Sequence, residues 1–198
     1  MEVREASKAD VEDFVNLVLM ASPYFPELFG PNTELMLKEM FVSKSNLFSF
    51  EHVRFIRHQG KNAGMLLSYS WRENKKESLK TGFLMLRFLG FFMIRRLPKL
   101  LVFNKEIGQL PKNSYYISNV AVFPQFRGKG FGKKLIELAE ISAAEARLTS
   151  LVLDVERENS VAVSLYKKLK FKKLKEFTIS LSKKSRLNFF RMIKVLSE

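Results

Sequence analysis

A glycine-rich segment near the middle of the chain has the residue types and the spacing of a phosphate-binding turn. Its members are Arg127, Gly128, Lys129, Gly130, Phe131 and Gly132. The segment follows an apolar run at 115–123 and precedes a stretch with helical periodicity. Such a turn leaves backbone N–H groups unpaired at the positive end of the helix dipole, and glycine lets a phosphate approach the backbone closely. We therefore expect a phosphate-bearing ligand here, with Lys133 and Lys134 adding positive charge.

Two common phosphate-binding signatures do not fit this segment. A dinucleotide fingerprint, G-x-G-x-x-G, would need a third glycine where Lys133 stands. A Walker A loop, G-x-x-x-x-G-K-[ST], would need a glycine at Arg127 and a hydroxyl residue at Lys134. The spacing excludes both signatures and leaves open which ligand carries the phosphates.

Polar residues in and after a second apolar run are the other candidates for chemistry. Asp154 interrupts the run 151–155, which is short and β-branched and is expected to form a strand buried on both faces. Glu156 lies two residues beyond Asp154 and therefore on the same face of that strand. Asn159 or Ser160 can cap the helix that follows.

The elements that must position these residues alternate along the chain. Apolar spacing predicts helices at 11–19 and 35–41, and an antiparallel hairpin is expected from the strands 53–57 and 64–71. The segments 177–181 and 189–195 alternate enough to form a closing antiparallel pair. Neither a repeat nor a linker is visible, so we expect one mixed α/β domain over residues 1–198.

The composition excludes several kinds of site. The chain has no cysteine, which excludes disulfides, thiolate metal sites and a cysteine nucleophile and fits a reducing compartment. Both histidines, His52 and His58, lie at the ends of a predicted strand, where we expect structural or surface roles and no metal. Residues 1–10 contain no apolar run of the signal-peptide kind, so a cytoplasmic location is expected.

The net charge of +14 favours anionic partners. Residues 165–198 alone carry eleven lysines and arginines against two glutamates. A solvated basic face explains this excess most simply. A nucleic-acid-binding protein is the alternative of another class, although the sequence has no aromatic-and-basic recognition motif.

Taken together, the motifs resemble one enzyme superfamily. The run V-A-V-F-P at 120–124 precedes the glycine segment, and L-D-V at 153–155 follows it. The pattern N-x-x-A-x-x-L-Y-x-x-L-x-F then runs from 159 to 171. In this order the motifs resemble the GCN5-related N-acetyltransferase (GNAT) superfamily. The resemblance is sharp over 115–171, looser over 1–71 and absent over 72–113. Lys170 stands where the superfamily has a glycine. Glycine permits a positive φ after the helix, whereas lysine adopts it at an energetic cost, so the geometry of this turn is left open.

The resemblance implies a fold and a cofactor. The fold is the acyl-CoA N-acyltransferase (GNAT) fold, a mixed α/β (α+β) arrangement. It has a central, mostly antiparallel sheet with a splayed parallel strand pair, and helices on both faces. The resemblance implies acetyl-CoA as co-substrate, no metal, and a pantetheine arm between the splayed strands. It further implies contacts from Val120, Ala121 and Val122 to the pantetheine and from the N–H groups of 128–133 to the pyrophosphate, with Arg127 alongside.

The resemblance also implies the reaction, which is direct transfer of an acetyl group to a primary amine with no acyl-enzyme. Asn159 is expected near the thiol end of acetyl-CoA, and Tyr166 beside the sulfur, where its phenol can donate a proton to the departing thiolate. Asp154 is the first candidate for the base, because ribosomal-protein alanine N-acetyltransferases have a glutamate there. Glu156 or a water chain is the alternative. The acceptor is an amine-bearing small molecule or a peptide; a protein N-terminus or lysine is the alternative.

The segment 79–113 replaces a short connection between two strands. It combines phenylalanines, leucines and methionines with basic residues. Its apolar part is interrupted by charges and by Pro98, so we expect two helical pieces broken near 97–98 and no bilayer span. Three roles are open for it, namely a lid over the acceptor pocket, a homodimer interface, or peripheral contact with an anionic membrane.

Overall fold

In the computed structural model, the described residues are 1–181 and 185–196, and between 89 and 105 the description covers the helix and no side chains. Strands and helices alternate in this part of the chain. The strands are β1 (Glu2–Glu5), β2 (Val53–His58), β3 (Lys61–Ser70), β4 (Ser114–Val122), β5 (Ser150–Glu156), β6 (Lys172–Ser180) and β7 (Arg186–Val195). The helices are α1 (Val11–Ala21), α2 (Phe25–Phe29), α3 (Thr33–Val42), α4 (Trp71–Ile107), α5 (Phe131–Glu145) and α6 (Ser160–Lys168).

These strands form one sheet in the order β1-β2-β3-β4-β5-β7-β6. Every neighbouring pair is antiparallel except β4 and β5, which are parallel. The predicted hairpin is present as β2 and β3, joined by Gln59 and Gly60, both with a positive φ (52° and 75°) as tight hairpin turns require. The closing antiparallel pair is present as β6 and β7, and β6 begins earlier than predicted. The mixed fold with a mostly antiparallel sheet is confirmed.

Helices cover both faces of the sheet, as the resemblance implied. On one face, α5 buries Leu135, Ile136 and Ala139 against Leu151 and Leu153 of β5. The spacing of these α5 residues places them on one side of the helix, which explains why this helix lies flat on the sheet. The other face carries a second apolar cluster, built from α1, α2, α3 and part of α4. The strand residues in this cluster are Val53, Phe55, Met65, Leu67, Ala121, Phe177, Ile179 and Phe189.

The parallel pairing between β4 and β5 is short. It runs from Ser114 opposite Ser150 to Ile117 opposite Leu153 and ends there. Beyond this point β4 stays paired with β3 as far as Val122, and β5 stays paired with β7 as far as Glu156. Each strand is therefore held on its outer edge only, and the two inner edges separate. The splayed parallel pair is confirmed.

Helix α4 begins directly after β3 and extends to Ile107 without a break. The prediction of two pieces broken near 97–98 is wrong. An internal proline costs a helix about 3 kcal/mol. Helix α4 has tertiary contacts before and after this position, because Leu84 is in the core and side chains bond to the carbonyls of 106–109. No helix of the described residues has the length and hydropathy to cross a membrane. The lid, dimer and membrane-contact roles stay predictions, because the side chains of 89–105 lie outside the described residues.

Lys170, between α6 and β6, has φ = 69°. Lys170 therefore adopts the positive φ that glycine usually permits at this position. The left-handed conformation costs a side-chain-bearing residue roughly 1–2 kcal/mol. The turn is retained because Phe171, the next residue, is buried in the α5 and α6 cluster and its N–H bonds to the carbonyl of Tyr166 at 2.9 Å.

We expect Lys170→Gly to stabilise the fold. Relief of the left-handed strain exceeds the extra entropy that glycine loses on folding, so the net gain in unfolding free energy should be about 0.5–1 kcal/mol. Urea denaturation measures this directly. Lys168→Gly is the matched control, because it also removes one exposed lysine but places glycine in the last turn of α6, where a loss of about 1 kcal/mol is expected. A loss of stability in Lys170→Gly would contradict the strain argument.

Candidate active site

The separation of β4 and β5 opens a cleft of about 440 Å³. One wall is the free edge of β4, and the other is the end of β5, with α6 and the end of α1 closing the sides. The cleft gathers candidates from separate parts of the sequence: Val120, Ala121, Val122, Arg127, Gly132, Asp154, Glu156, Asn159 and Tyr166. Of the remaining predicted residues, Gly128, Lys129 and Gly130 lie in the adjoining turn. Phe131 and Lys133 lie at the start of α5, where the side chain of Phe131 is buried in the core.

The free edge of β4 directs backbone groups into the cleft. The N–H of Phe123 bonds to the carbonyl of Ala63 on β3 at 2.9 Å. Because backbone groups alternate sides along a strand, those of Val122 and Val120 point the other way, toward β5. The carbonyl of Val122 accepts a bond from Nε of Arg127 at 3.2 Å. Apart from this carbonyl, the edge offers an extended ligand the groups that a neighbouring strand would otherwise pair with.

The glycine turn lies at the N-terminus of α5. Gly128 and Gly130 have φ values of 76° and 81°, which side chains disfavour, and a Cβ at either position would meet nothing within 4 Å. Within the described part of the chain, no group accepts a hydrogen bond from the N–H groups of 128–133. Together with the positive end of the α5 dipole, these free donors form a cradle for an anion.

Two residues of the α6 region face the cleft. The side-chain oxygen of Asn159 accepts the N–H of Ala162 at 3.1 Å, which confirms the predicted helix cap. The ring of Tyr166 packs on Phe171, with ring centroids 5.7 Å apart. Burial raises the pKa of the Tyr166 phenol to about 12, and its hydroxyl makes no hydrogen bond with any described residue. A donor that stays protonated at neutral pH and has no protein partner is available to a ligand.

Asp154 is held by an ion pair. Its Oδ1 accepts Nε of Arg191 at 2.8 Å, and its Oδ2 accepts Nη2 of Arg191 at 2.7 Å and the hydroxyl of Tyr116 at 2.9 Å. Only 4% of the Asp154 side chain is exposed. Burial and the adjacent Asp154 raise the pKa of Tyr116 well above its ordinary value, so this hydroxyl remains a donor. Asp154 therefore has both oxygens occupied, unlike the unengaged carboxylate expected of a base.

Glu156 differs from Asp154 in its surroundings. It lines the cleft on the same face of β5, and no described residue donates a hydrogen bond to its carboxylate. Burial and, to a smaller extent, the negative charge of Glu158 raise the pKa of Glu156. Of the two carboxylates on β5, Glu156 is the one whose oxygens are available to a ligand.

Comparison with known proteins identifies the family. The model of the Acetyltransferase (GNAT) family matches residues 20–171. The chain belongs to this family. Its members transfer acetyl groups, and the predicted enzyme class, an acetyl-transferring acyltransferase, is confirmed.

Solved structures place this GNAT enzyme among acetyltransferases of the same fold. An N-acetyltransferase from Staphylococcus aureus Mu50 is similar with a TM-score of 0.73 at 20% identity, over 98% of this chain and 100% of the other. Ard1 from Thermoplasma volcanium has a TM-score of 0.63 at 17% identity, over 100% and 98%. A Drosophila melanogaster polyamine N-acetyltransferase has a TM-score of 0.64 at 14% identity, over 98% and 99%. At these identities the likeness shows the fold alone.

A curated protein is similar over a shorter stretch. It is an uncharacterized protein of Mycobacterium leprae (strain TN), 30% identical over 70 residues. The match covers 35% of this GNAT chain and 18% of that protein.

Several residues of the GNAT cleft were missed by the sequence reasoning. Nδ2 of Asn119 donates a hydrogen bond to Oγ of Ser22 at 3.0 Å. The rings of Tyr24 and Phe189 pack edge to face, with their centroids 5.9 Å apart. All four line the cleft. Asn119 interrupts an apolar strand, so that signal was present, but Ser22 and Tyr24 lie beside Pro23 and had the appearance of an ordinary turn. Arg191 was counted as part of a solvated basic face.

Proposed function

We propose that this GNAT enzyme transfers an acetyl group from acetyl-CoA directly to the nitrogen of a primary amine. One observation carries the proposal. The cleft between β4 and β5 is lined by the edge of β4, has a cradle of N–H groups at one end, and contains the hydroxyl of Tyr166; neither those N–H groups nor that hydroxyl bonds to a described residue. A long ligand with a pyrophosphate, two amides and a thioester matches these features in that order.

The residues present fit acetyl-CoA. Val120 and Val122 would bond its pantetheine amides through the backbone, with Ala121 between them. The N–H groups of Gly128, Lys129, Gly130, Phe131, Gly132 and Lys133 would hold its pyrophosphate, with Arg127 alongside. When bound, acetyl-CoA supplies a thioester whose carbonyl carbon is the electrophile.

The amine must lose one proton as it becomes an amide. The new C–N bond forms as the C–S bond breaks, and the leaving thiolate gains one proton to become the free thiol. A base has to accept the amine proton because only a neutral nitrogen attacks. We assign this role to Glu156, because its carboxylate is available in the cleft while that of Asp154 is engaged by Arg191 and Tyr116. A water chain is the alternative.

Tyr166 is assigned to the leaving sulfur. With the pKa of its phenol at about 12, complete proton transfer to a thiolate of ordinary pKa near 8.5 would cost roughly 5 kcal/mol. Its contribution is therefore a hydrogen bond that strengthens as negative charge develops on the sulfur. Overall, the amine releases one proton and the thiolate takes up one proton, so the reaction has no net proton change.

The acceptor is a primary amine of a small molecule or of a peptide, including a protein N-terminus or lysine. Incubation with acetyl-CoA and a panel of polyamines, amino acid amides and short peptides tests this. We expect thiol release that depends on the acceptor and a product that has gained one acetyl group by mass spectrometry. Thiol release that no amine accelerates would contradict amine transfer.

We expect Gly130→Ala to weaken acetyl-CoA binding at least about tenfold, because the new methyl group would occupy the space where the phosphate approaches the backbone. Isothermal titration calorimetry measures the affinity. Gly60→Ala is the matched control, because Gly60 has a similar φ (75°) and an equally open surrounding but lies in the β2–β3 turn. Equal affinities in wild type and Gly130→Ala would refute the cradle.

Tyr166→Phe should lower kcat about 10²-fold while leaving the acetyl-CoA dissociation constant within a few-fold, since the ring is kept and only the donor is lost. Stopped-flow or steady-state kinetics and calorimetry on the same preparation separate the two quantities. An unchanged kcat would remove Tyr166 from the chemistry.

In a plot of kcat against pH, the rate should fall toward acid pH as Glu156 becomes protonated, which gives the profile an acid limb. Its pKa is raised by burial and by Glu158, so this limb should lie above the ordinary glutamate value of about 4.3. The same cleft is also lined by the titratable groups of Tyr24, Tyr166 and the paired Asp154. Glu156→Gln should lower kcat roughly 10²–10⁴-fold and abolish the limb.

Two acceptor amines of different pKa provide the control for this profile. A limb that belongs to Glu156 stays at one pH for both amines, whereas a limb from the acceptor shifts with the acceptor. If Glu156→Gln retains the limb that does not shift, another group is the base.

A further inference from the structure

Arg191 links the cleft to the far end of helix α4. It lies on β7 directly opposite Asp154 of β5, and only 3% of its side chain is exposed. Nε and Nη2 bind the two oxygens of Asp154 in the bidentate geometry that makes arginine–carboxylate pairs strong. Asp154 thus lies at once in the cleft and in a buried ion pair.

The same guanidinium also binds the carboxyl end of α4. Nη1 donates to the carbonyl of Gln109 at 2.7 Å, and Nη2 donates to those of Glu106 at 2.9 Å and Ile107 at 3.2 Å. Nδ2 of Asn74 bonds to the carbonyl of Gly108 at 2.8 Å. The last carbonyls of a helix have no partner inside it and carry the negative end of its dipole, so a buried cation there is stabilising.

Helix α4 also packs against the cluster beneath Tyr24 and Phe189, the part of the cleft where we place the acceptor and which we call the acceptor wall. Leu84 is buried in the same cluster as Phe25 and Phe189, and Phe88 packs against that cluster. Phe189 lines the cleft and stacks against Tyr24, which also lines it. A shift of α4 would therefore reach the wall that the acceptor contacts.

We propose that Arg191 is a positioning residue that uses Asp154 as its counter-ion to fix the end of α4, and thereby the acceptor wall, against β5. The sequence resemblance suggested Asp154 as the base, whereas the contacts of its carboxylate are those of a counter-ion. In this chain that carboxylate anchors a helix and does not take the proton. The effect on the acceptor rests on the proposed function, whereas the anchoring of α4 does not.

Hydrogen exchange tests the anchor without any assay of activity. Removal of one partner would leave a buried charge unpaired, so the variant is the double replacement Arg191→Met with Asp154→Leu, which keeps an apolar core of similar volume. We expect amides in 106–113 to exchange at least about tenfold faster, since local opening no longer breaks the bonds to Arg191. Lys194→Met is the matched control, because Lys194 lies on the same strand but pairs with Glu140 of α5 at 2.6 Å; its exchange at 106–113 should equal that of wild type.

Unchanged exchange in the double variant would overturn the proposal. If that variant does not fold, the measurement is made on Arg191→Lys. Lysine keeps the charge but lacks the planar fork that reaches both Asp154 and the helix end. Faster exchange at 106–113 is again expected, and wild-type exchange would again overturn the anchor.

Kinetics of Asp154→Asn and Arg191→Lys test the second part of the proposal, the effect of the anchor on the acceptor wall. We expect the KM for the acceptor to rise about tenfold through misplacement of the wall. The acetyl-CoA dissociation constant should stay within about twofold and the acid limb of the pH–rate profile should be kept, because Glu156 is untouched. Loss of that limb in Asp154→Asn would identify Asp154 as the base and overturn the assignment. If wild type transfers no acetyl group, the proposed function fails, while the exchange result still decides the anchor.

Discussion

The separation of β4 from β5 is the constraint on which the rest of the site depends. The two strands pair only from Ser114 to Ile117, and each is then held by its outer neighbour. On the β3 side, a Cβ at Gly64 would lie 2.6 Å from the carbonyl of Ala121, so glycine is what lets β3 follow β4 this closely. The inner edges keep backbone donors and acceptors that the chain cannot pair by itself. An extended ligand with amides of its own is the complement of such a gap.

The elements around the separated strands follow one another in sequence on the donor side of the site. β4 ends at Val122, the glycine turn follows, and α5 starts at Phe131 with its N-terminus beside the mouth of the cleft. β5 then returns to the opposite wall, and α6 brings Asn159 and Tyr166 to the inner end. One continuous stretch thus builds the proposed phosphate end and the proposed thioester end. The separation between those ends is set by the length of the unpaired part of β4.

This continuity explains what the sequence could predict. The free N–H groups of the turn and the Asn159 cap depend on residues that are close in sequence, and each was visible as a local pattern. The pairing of Asp154 with Arg191 joins residues 37 apart, and the bonds from Arg191 to α4 span 82 to 85 residues. A carboxylate in an apolar strand gives the same sequence signal whether it accepts a proton or holds an arginine. Likewise Pro98 signals a helix break, and the distant contacts that α4 makes on either side of it are not part of that signal.

The ion pair between Asp154 and Arg191 affects the electrostatic potential inside the cleft. Asp154 and Arg191 cancel each other where they are buried, so the β5 carboxylate that forms no ion pair with a described residue is that of Glu156. At the opposite end, the α5 dipole and the exposed basic side chains of the turn are positive. The cleft is therefore polarised within a protein whose net charge is +14. In the proposed function, phosphates would be attracted to one end, and a cationic amine would be attracted to the other by the group proposed to deprotonate it. Such polarity would orient donor and acceptor before they meet, and it requires that Arg191 keep Asp154 neutralised.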